Sequence, residues 1–178
     1  DKLEDGTFIV TTNKGTKHHA KAVAIAGGLG TFEPRKPTIE NISFYEEKGV
    51  EYFVKDPELF RDKRIVIAGG GDSALDWSIF LSNVASQVTL IHRRNEFRGA
   101  LDSVEKVQEL KKLGKINLIT PAEVVGINGK NRVESIVLEN EGVQQVFETD
   151  YFIPLFGLTP KLGAIANWGL EIEKNAIK

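Results

Sequence analysis

The sequence contains no cysteine and no methionine, and its positive and negative charges nearly balance. Without cysteine, the chain cannot form disulfides, thiolate nucleophiles, dithiol redox centres or cysteine-ligated zinc and iron–sulfur sites. Because a natural chain starts with methionine, the absence of that residue leads us to expect that these 178 residues are a fragment of a longer protein.

Charge and hydropathy exclude further classes of partner. The 23 basic and 25 acidic residues give a formal net charge of −2, so no global field attracts nucleic acid or an anionic membrane. The longest apolar runs, such as the centre of Arg64–Ala68, are far shorter than the roughly 20 residues that a membrane span needs, and no signal-peptide pattern opens the chain. We therefore expect a cytoplasmic protein without nucleic-acid or membrane partners, in which any recognition of phosphate comes from a local cluster of cations.

The N-terminal third of the chain predicts a hairpin and little other regular structure. The β-rich run Thr7–Thr12 is followed by the turn residues Asn13–Gly15 and by a second extended stretch that ends at Ala22–Ala26. The prolines and basic residues within 31–40 are typical of a linker. Two further short elements are predicted, a strand at Val50–Val54 and a turn or short helix beginning at Asp56–Pro57.

From Arg64 onwards, apolar runs alternate with segments of helical periodicity. Arg64–Ala68 predicts a buried parallel strand, residues 73–85 a helix, and Val88–Ile91 the next buried strand. Strands that alternate with helices in this way indicate an α/β fold with a parallel sheet and crossover helices. The pattern continues with a helix at Asp102–Leu113, a strand at Ile116–Ile119, a β-meander from Pro121 to Val146 with a turn at Asn128–Gly129, and a last strand at Asp150–Leu155.

The segment between the first of these strands and its helix fits the pattern G-x-G-x-x-A of dinucleotide-binding turns. Gly69 permits a tight turn, Gly71 lets a pyrophosphate approach the backbone, and Ala74 is small enough for close helix–strand packing. The helix begins near Asp72 or Ser73, so its unpaired N–H groups and its dipole favour an anion, to which the Ser73 hydroxyl can donate. The candidate binding residues here are Gly69, Gly70, Gly71, Asp72, Ser73 and Ala74.

A cluster of basic residues follows the second strand of this unit. In NAD-binding proteins, an acidic residue at this place accepts a hydrogen bond from the 2′-hydroxyl of the ribose. Here His92, Arg93 and Arg94 follow the strand, and Arg98 is expected one helical turn after Arg94. A carboxylate would repel a 2′-phosphate, whereas guanidinium groups bind it with paired hydrogen bonds. The cluster therefore predicts selectivity for NADP(H).

Each of these two motifs has a structural alternative. The glycine segment could be a turn in another α/β protein, and the arginines could form a solvated basic face on a helix, with Glu96 pairing one of them. The context, a turn between strand and helix followed by cations at the end of the next strand, favours the phosphate-binding interpretation. A metal site at His18–His19 is not expected, because adjacent residues of a strand point to opposite faces.

Together the motifs carry a resemblance to a known family. The segments Gly69–Trp77 and His92–Arg98 are similar to the NADPH domain of thioredoxin reductase-like flavoproteins, and the chain most resembles the bacterial ferredoxin (flavodoxin)–NADP reductases of that group. The stretches Gly30–Arg35, Tyr52–Pro57 and Phe156–Leu170 fit the same family, so the resemblance covers essentially the whole chain.

The resemblance implies a flavoprotein fold with two dinucleotide-binding domains, in which an NADPH domain is inserted into a discontinuous FAD domain. On this basis, residues 1–40 are the end of the first half of the FAD domain plus a linker. Residues 41–158 are the Rossmann-like NADPH domain, and residues 159–178 start the second half of the FAD domain.

The resemblance also implies cofactor contacts and a reaction. FAD in the full-length protein would lie beside Phe32, the backbone of Gly27 and Gly28 would lie close to the cofactors, and the loop at Gly157 would approach the nicotinamide. A hydride would pass from NADPH to FAD and electrons from there to an acceptor, and a homodimer is compatible with the family. Because the FAD fingerprint is absent, we expect these residues alone to bind NADP(H), hold no FAD and show no turnover.

The missing cysteines bear on the electron acceptor. Thioredoxin reductases of the family carry a Cys-x-x-Cys pair just before the Rossmann strand. The resemblance aligns that pair with Phe53–Asp56 of this chain, which contains no cysteine. Ferredoxin or flavodoxin is therefore the expected acceptor, with a ferric chelate as the less favoured alternative. Two alternatives stay open at this point: an enzyme similar to thioredoxin or disulfide reductases that lacks its dithiol, and a non-catalytic module that senses NADP(H).

Overall fold

A computed structural model describes residues 1–26, 31–173, 176 and 177 of the chain. The chain forms two compact units, one of residues 33–159 and one that combines residues 1–32 with 160–178. The predicted assignment of segments to an FAD-binding and an NADPH-binding domain stays a prediction.

The unit that contains the N-terminus begins with the predicted antiparallel hairpin. Strands β1 (Phe8–Thr11) and β2 (Lys17–Ala20) pair with Phe8 opposite Ala20. The prediction that the second strand reaches Ala26 is wrong, because β2 ends at Ala20. The amides and carbonyls of a strand need a partner, and among the described residues no strand pairs with residues 22–26.

The elements before the central sheet are short. A 3-10 helix at Pro57–Phe60 begins as predicted directly after Asp56, whose side chain accepts a hydrogen bond from the N–H of Glu58 at 3.0 Å. This cap, together with the buried side chain of Phe60, holds the short helix in place. Two further elements precede it, β3 (Thr31–Pro34) and α1 (Ile42–Tyr45).

No strand forms at Val50–Val54, where the sequence predicts one. Val50 makes only isolated bridges to Glu46 and Phe152, and the residues after it are irregular. Val50 is buried, and the Tyr52 hydroxyl donates to Glu46 at 3.0 Å. The apolar and aromatic content of this segment therefore reflects packing and not pairing in a sheet.

The predicted alternation of strands and helices is confirmed in residues 64–119. Its elements are β4 (Arg64–Ala68), α2 (Asp72–Leu81), β5 (Gln87–Ile91), α3 (Leu101–Lys112) and β6 (Ile116–Ile119). The three strands pair in parallel, β4 with β5 and β5 with β6. Helix α2 is shorter than predicted, because the chain turns after Leu81 and does not continue as a helix to residue 85.

A three-stranded antiparallel meander follows as predicted, formed by β7 (Glu123–Asn128), β8 (Ser135–Asn140) and β9 (Val143–Glu148). The next strand, β10 (Tyr151–Pro154), pairs in parallel with β4 and completes a four-stranded sheet in the order β10-β4-β5-β6. The remaining elements are β11 (Leu158–Lys161), a 3-10 helix (Gly163–Asn167), β12 (Ile172–Glu173) and β13 (Ala176–Ile177).

The parallel sheet carries helices on one face and the meander on the other. The alternation along β4 shows this, because Ile65 and Ile67 pack with buried residues of α2 and α3, whereas Val66 and Ala68 pack with buried residues of the meander. Both clusters consist of side chains that are at most 7% exposed. Covered on both faces, the sheet leaves its carboxyl edge open, which is where open α/β sheets bind ligands.

Candidate dinucleotide-binding site

A cleft of about 860 Å³ lies at the carboxyl edge of the parallel sheet. The ends of three neighbouring strands meet there, namely the glycine turn after β4, His92 and Arg93 after β5, and Leu155–Gly157 after β10. Residues 35–38 and 122–125 also line it. The cleft thus collects segments that are far apart in the sequence at the place where a nucleotide is expected.

The three glycines of the turn have different surroundings. A Cβ atom at Gly69 would lie 2.7 Å from the carbonyl oxygen of Leu155, and one at Gly70 would overlap the ring of His92. Both positions therefore require glycine for packing. A Cβ atom at Gly71 would meet no atom of the described residues within 4 Å, and its φ is −106°, which any residue can adopt. The surrounding protein gives no reason for glycine at this third position, whereas a phosphate seated on the backbone would.

Helix α2 begins directly after the turn, with Gly71 as its N-cap. Among the described residues, no group accepts a hydrogen bond from the N–H groups of Gly71, Asp72 and Ser73. Ala74 is buried, and its Cβ lies 2.8 Å from the position that a Cβ on Gly69 would take, so helix and strand approach closely here. The free N–H groups and the positive end of the helix dipole make this part of the cleft suitable for an anion.

The carboxylate of Asp72 holds the neighbouring loop. Its Oδ1 accepts a hydrogen bond from the N–H of Ala100 at 2.7 Å. The N–H of Arg98 donates to the carbonyl oxygen of Gly70, also at 2.7 Å. These two hydrogen bonds connect the arginine loop with the glycine turn and the start of α2. Ser73 is exposed at the cleft, where its hydroxyl can donate to an anion.

His92 lies between the two motifs. It is 6% exposed, packs against Gly70 and stacks on Phe97 with ring centroids 5.3 Å apart. Its Nε2 atom is buried without a hydrogen-bond partner among the described residues. Burial lowers the pKa of His92, a backbone hydrogen bond with Glu96 partly offsets this, and the adjacent arginines lower the pKa further. Because its pKa is lowered from an ordinary value that is already below 7, His92 is mainly neutral at neutral pH.

The arginines lie on an irregular loop. Arg93 and Arg98 line the cleft, whereas Arg94 is exposed on the same loop and is not among the lining residues. The predicted helical turn between Arg94 and Arg98 is wrong, because the backbone here bonds to the glycine turn and to Asp72, and α3 begins only at Leu101.

The three guanidinium groups are not neutralised by any of the described residues. In the part of the chain that the structure describes, no carboxylate, including that of Glu96, lies within 4.0 Å of the side-chain nitrogens of Arg93, Arg94 or Arg98. Clustered cations without partners repel one another unless an anion binds among them. The loop therefore suits a phosphate group, and the cleft as a whole fits a phosphorylated dinucleotide.

Two basic residues that the sequence analysis assigned to a linker also line the cleft. The N–H of Arg35 donates to the carbonyl oxygen of Gly157 at 3.0 Å, and Lys36 forms an ion pair with Glu46 at 2.5 Å. Gly157 has a φ of 89°, a left-handed conformation that favours glycine. In the sequence, Arg35 and Lys36 are marked only by their position between two prolines. This pattern does not reveal that Arg35 is bonded to Gly157.

The sequence predicts the start of the meander but not its contribution to the site. The N–H of Ala122 donates to the carbonyl oxygen of His92 at 2.9 Å, and this bond brings residues 122–125 to the cleft. No local pattern marks these residues, because a long-range hydrogen bond places them.

The remaining predicted contacts cannot be placed at the cleft. Gly27 and Gly28 lie outside the described residues, as does the side chain of Phe32, whose backbone belongs to β3.

In the described part of the chain, no group of three or more histidine, aspartate or glutamate side chains is arranged to hold a metal ion. No helix within residues 1–26, 31–173, 176 and 177 is long and apolar enough to cross a bilayer.

The family resemblance aligns Phe53–Asp56 with the dithiol of thioredoxin reductases. Two residues of this segment, Phe53 and Lys55, line a second cavity of about 420 Å³. Phe53 is 44% exposed there. Lys36 Nζ and the Tyr52 hydroxyl both contact Oε1 of Glu46, at 2.5 and 3.0 Å. The hydrogen bond with Lys36 lowers the pKa of Glu46, and burial followed by the hydrogen bond with Glu46 raises the pKa of Tyr52. No thiol is available at this place, since the sequence has no cysteine.

Comparison with known proteins places the whole chain in one family. Residues 1–178 match the family described as pyridine nucleotide-disulphide oxidoreductase. A protein named ferredoxin–NADP reductase from Flavobacterium johnsoniae is 78% identical over 100% of this chain and 51% of its own length. Proteins of the same name from Flavobacterium psychrophilum and Parvibaculum lavamentivorans are 75% and 45% identical over 100% and 99% of this chain, and 51% and 52% of their own lengths. The chain spans about half the length of the curated relatives that it matches.

Solved structures show the same fold. Thioredoxin reductase from T. acidophilum superposes with a TM-score of 0.81 at 26% identity, covering 98% of this chain and 56% of that one. Thioredoxin reductase from Lactococcus lactis gives a TM-score of 0.79 at 25% identity over 96% of this chain and 59% of that one. The chain thus has the mixed α/β fold with a parallel sheet that is found in thioredoxin reductase-like flavoproteins. Since the family match extends over its entire length, the chain belongs to the pyridine nucleotide-disulphide oxidoreductases.

Proposed function

We propose that this chain is the NADP(H)-binding portion of an FAD-dependent oxidoreductase that passes a hydride from NADPH to FAD and then electrons to ferredoxin or flavodoxin. The observation that supports the proposal most strongly is the open position at Gly71. Its neighbours Gly69 and Gly70 are packed tightly, whereas a side chain at Gly71 would contact none of the described residues and would lie beside N–H groups that have no partner among them. A pyrophosphate fits such a position.

Each part of the cleft would hold one part of the coenzyme. The N–H groups at the start of α2 would bind the pyrophosphate, and the Ser73 hydroxyl would add a further donor. Arg93 and Arg98, with Arg94 on the same loop, would bind the 2′-phosphate. No carboxylate follows β5 at the position where NAD-binding proteins place one, which favours NADP(H) over NAD(H).

The chain would contribute binding and orientation. When bound, NADPH supplies the hydride, so the protein needs to align the nicotinamide and not to provide a nucleophile. Asp72 would keep the arginine loop in position through its hydrogen bond with Ala100. Gly157 lies at the end of the cleft next to β10, and we assign the nicotinamide to that side.

The flavin and the acceptor are inferred for the full-length protein. FAD binding is implied by the family, with Phe32 and the backbone of Gly27 and Gly28 as the proposed contacts. The names of the Flavobacterium relatives favour ferredoxin as acceptor, with flavodoxin as the second choice. The lack of cysteine disfavours a dithiol relay through this part of the protein. A cytoplasmic homodimer stays an expectation.

Anaerobic titration of the full-length protein with NADPH tests the proposal. We expect flavin absorbance that bleaches when NADPH is added and returns when oxidised ferredoxin or flavodoxin is added, while oxidised thioredoxin leaves the reduced spectrum unchanged. A full-length protein that binds NADP(H) but holds no flavin would support the NADP(H)-sensing alternative. Rapid oxidation of the reduced flavin by thioredoxin would contradict the proposed acceptor.

A further inference from the structure

We propose that Arg35 is a second binding group for the pyrophosphate of the coenzyme, in addition to the N–H groups at the start of α2. The inference rests on the proposed NADP(H)-binding function and adds to it a residue that lies between β3 and α1. A guanidinium group can bind two phosphate oxygens at once through charge-assisted hydrogen bonds.

Backbone contacts place Arg35 beside the glycine turn. Its N–H donates to the carbonyl oxygen of Gly157 at 3.0 Å. Two residues before Gly157, the N–H of Leu155 donates to Ala68 at the end of β4, and the carbonyl oxygen of Leu155 lies 2.7 Å from the Cβ position of Gly69. Arg35 is therefore tied to the segment that runs along the glycine turn, and both line the same cleft.

The order of the strands separates Arg35 from the arginines of the loop. Strands β5 and β10 flank β4 on opposite sides, and neighbouring strands lie about 4.8 Å apart. Arg93 follows β5, whereas Gly157, to which Arg35 is bonded, follows β10. A dinucleotide lying across this edge with its 2′-phosphate at Arg93 would carry its pyrophosphate over β4, next to Arg35. On that side of the adenosine, the pyrophosphate is the only anionic part of the coenzyme.

The guanidinium group of Arg35 is available for such a contact. In the described part of the chain, only its Nε has a partner, the Thr159 hydroxyl at 3.4 Å, so both terminal nitrogens are unused. Lys36 is not equivalent, because its ammonium group is already in an ion pair at 2.5 Å. The two carboxylates that line the cleft, Asp72 and Glu123, form no ion pair with Arg35.

Calorimetric titration of the full-length protein with three ligands tests the inference. The ligands are NADP⁺, NAD⁺ and adenosine 2′-monophosphate, which has no pyrophosphate. Arg35→Ala should weaken NADP⁺ and NAD⁺ by the same factor, about tenfold, and leave adenosine 2′-monophosphate unchanged. Arg35→Lys should recover part of the loss, because it keeps the charge but not the paired geometry. Arg61→Ala removes the same charge outside the cleft and should leave all three affinities unchanged.

The outcomes separate the inference from the proposed function. If Arg35→Ala weakened NADP⁺ alone, or neither coenzyme, the inference would be overturned while the proposed function stood. A wild-type protein that binds neither coenzyme would overturn the proposed function and the inference with it. The unfolding transition of Arg35→Ala should match that of the wild type, since the side chain is exposed and the backbone bond to Gly157 is kept. Should the alanine variant unfold, the lysine variant still measures the equal loss for both coenzymes.

Discussion

The glycine turn and the arginine loop line the same cleft but differ in how they are built. Gly69 and Gly70 are buried, and a side chain at either would collide with its neighbours. Arg93, Arg94 and Arg98 are exposed and have no ion-pair partner in the described part of the chain. The turn thus positions a ligand by shape and contributes to the fold, whereas the loop attracts it by charge. Changes at Gly69 or Gly70 should therefore alter stability as well as binding, whereas changes at the open Gly71 or in the loop should alter mainly binding.

The largest expected effect distinguishes Gly71 from its two neighbours in the turn. In Gly71→Ala the new methyl group would enter the open cleft, so the free energy of unfolding should change by less than about 1 kcal/mol. The affinities for NADP⁺ and NAD⁺ should both fall by about 100-fold or more, because the phosphate would lose two charged hydrogen bonds of roughly 1.5–3 kcal/mol each. Titration calorimetry with chemical denaturation measures both quantities. Unchanged affinity would show that no phosphate lies against Gly71.

Gly70→Ala should act on stability first. Its methyl group would overlap the buried His92 ring, which is stacked on Phe97, and overpacking of such a site costs up to about 3 kcal/mol. The midpoint of chemical denaturation should therefore fall for this variant and stay near the wild-type value for Gly71→Ala. Identical midpoints for the two variants would break the distinction between packed and open glycines.

The variants Arg93→Ala and Arg94→Ala test which arginines of the loop contact the coenzyme. Because Arg93 lines the cleft, Arg93→Ala should lower the affinity of the protein for NADP⁺ about tenfold. Because Arg94 does not line the cleft, Arg94→Ala should lower the NADP⁺ affinity less than about fivefold, which is the range of an exposed charge contact. Both variants should unfold as the wild type does. Equal losses of affinity would mean that Arg94 contacts the ligand as closely as Arg93.

The smallest expected effect is a dependence of stability on pH. Burial lowers the pKa of His92 below its ordinary value of 6.5, so on acidification the unfolded chain takes up a proton before the folded chain does. The free energy of unfolding should therefore decrease as the pH falls below about 6.5 and should level off once the folded pKa is passed. His92→Gln cannot take up this proton, and denaturation between about pH 7 and 5.5 should show a flatter profile for it. Profiles of equal slope would show that His92 is not responsible.

The parallel sheet could be predicted because its strands are apolar runs buried on both faces, as in Arg64–Ala68. The same reasoning failed at Val50–Val54 and at Ala22–Ala26. Both stretches have the composition of a strand, but a strand forms only where a second backbone pairs with it. Such pairing depends on the tertiary fold and leaves no local signal. The length of α2 was overestimated for a related reason, since apolar spacing continues to Val84 although the helix ends at Leu81.

Within the site, the residues that directly follow strands could be predicted from the sequence. The glycine turn follows β4 and Arg93 follows β5, and the carboxyl ends of neighbouring parallel strands meet at one edge. Arg35 and Ala122 could not be found in this way, because hydrogen bonds with Gly157 and His92 bring them to the cleft from elsewhere in the chain. Spacing alone also could not separate Arg93 from Arg94, since the irregular loop decides which of them lines the cleft.

The central claim is that the arginine loop recognises the 2′-phosphate of the coenzyme. Calorimetric titration of NADP⁺ and NAD⁺ against the wild-type full-length protein and the double variant Arg93→Ala, Arg98→Ala tests it most directly. Loss of two charged contacts, about 3 kcal/mol or more in total, should weaken NADP⁺ about 100-fold, while NAD⁺, with a neutral hydroxyl at that position, should change little. A general basic patch would instead give small losses that modest salt removes, because exposed charges are screened within about 8–10 Å. Parallel loss of both coenzymes would contradict the claim.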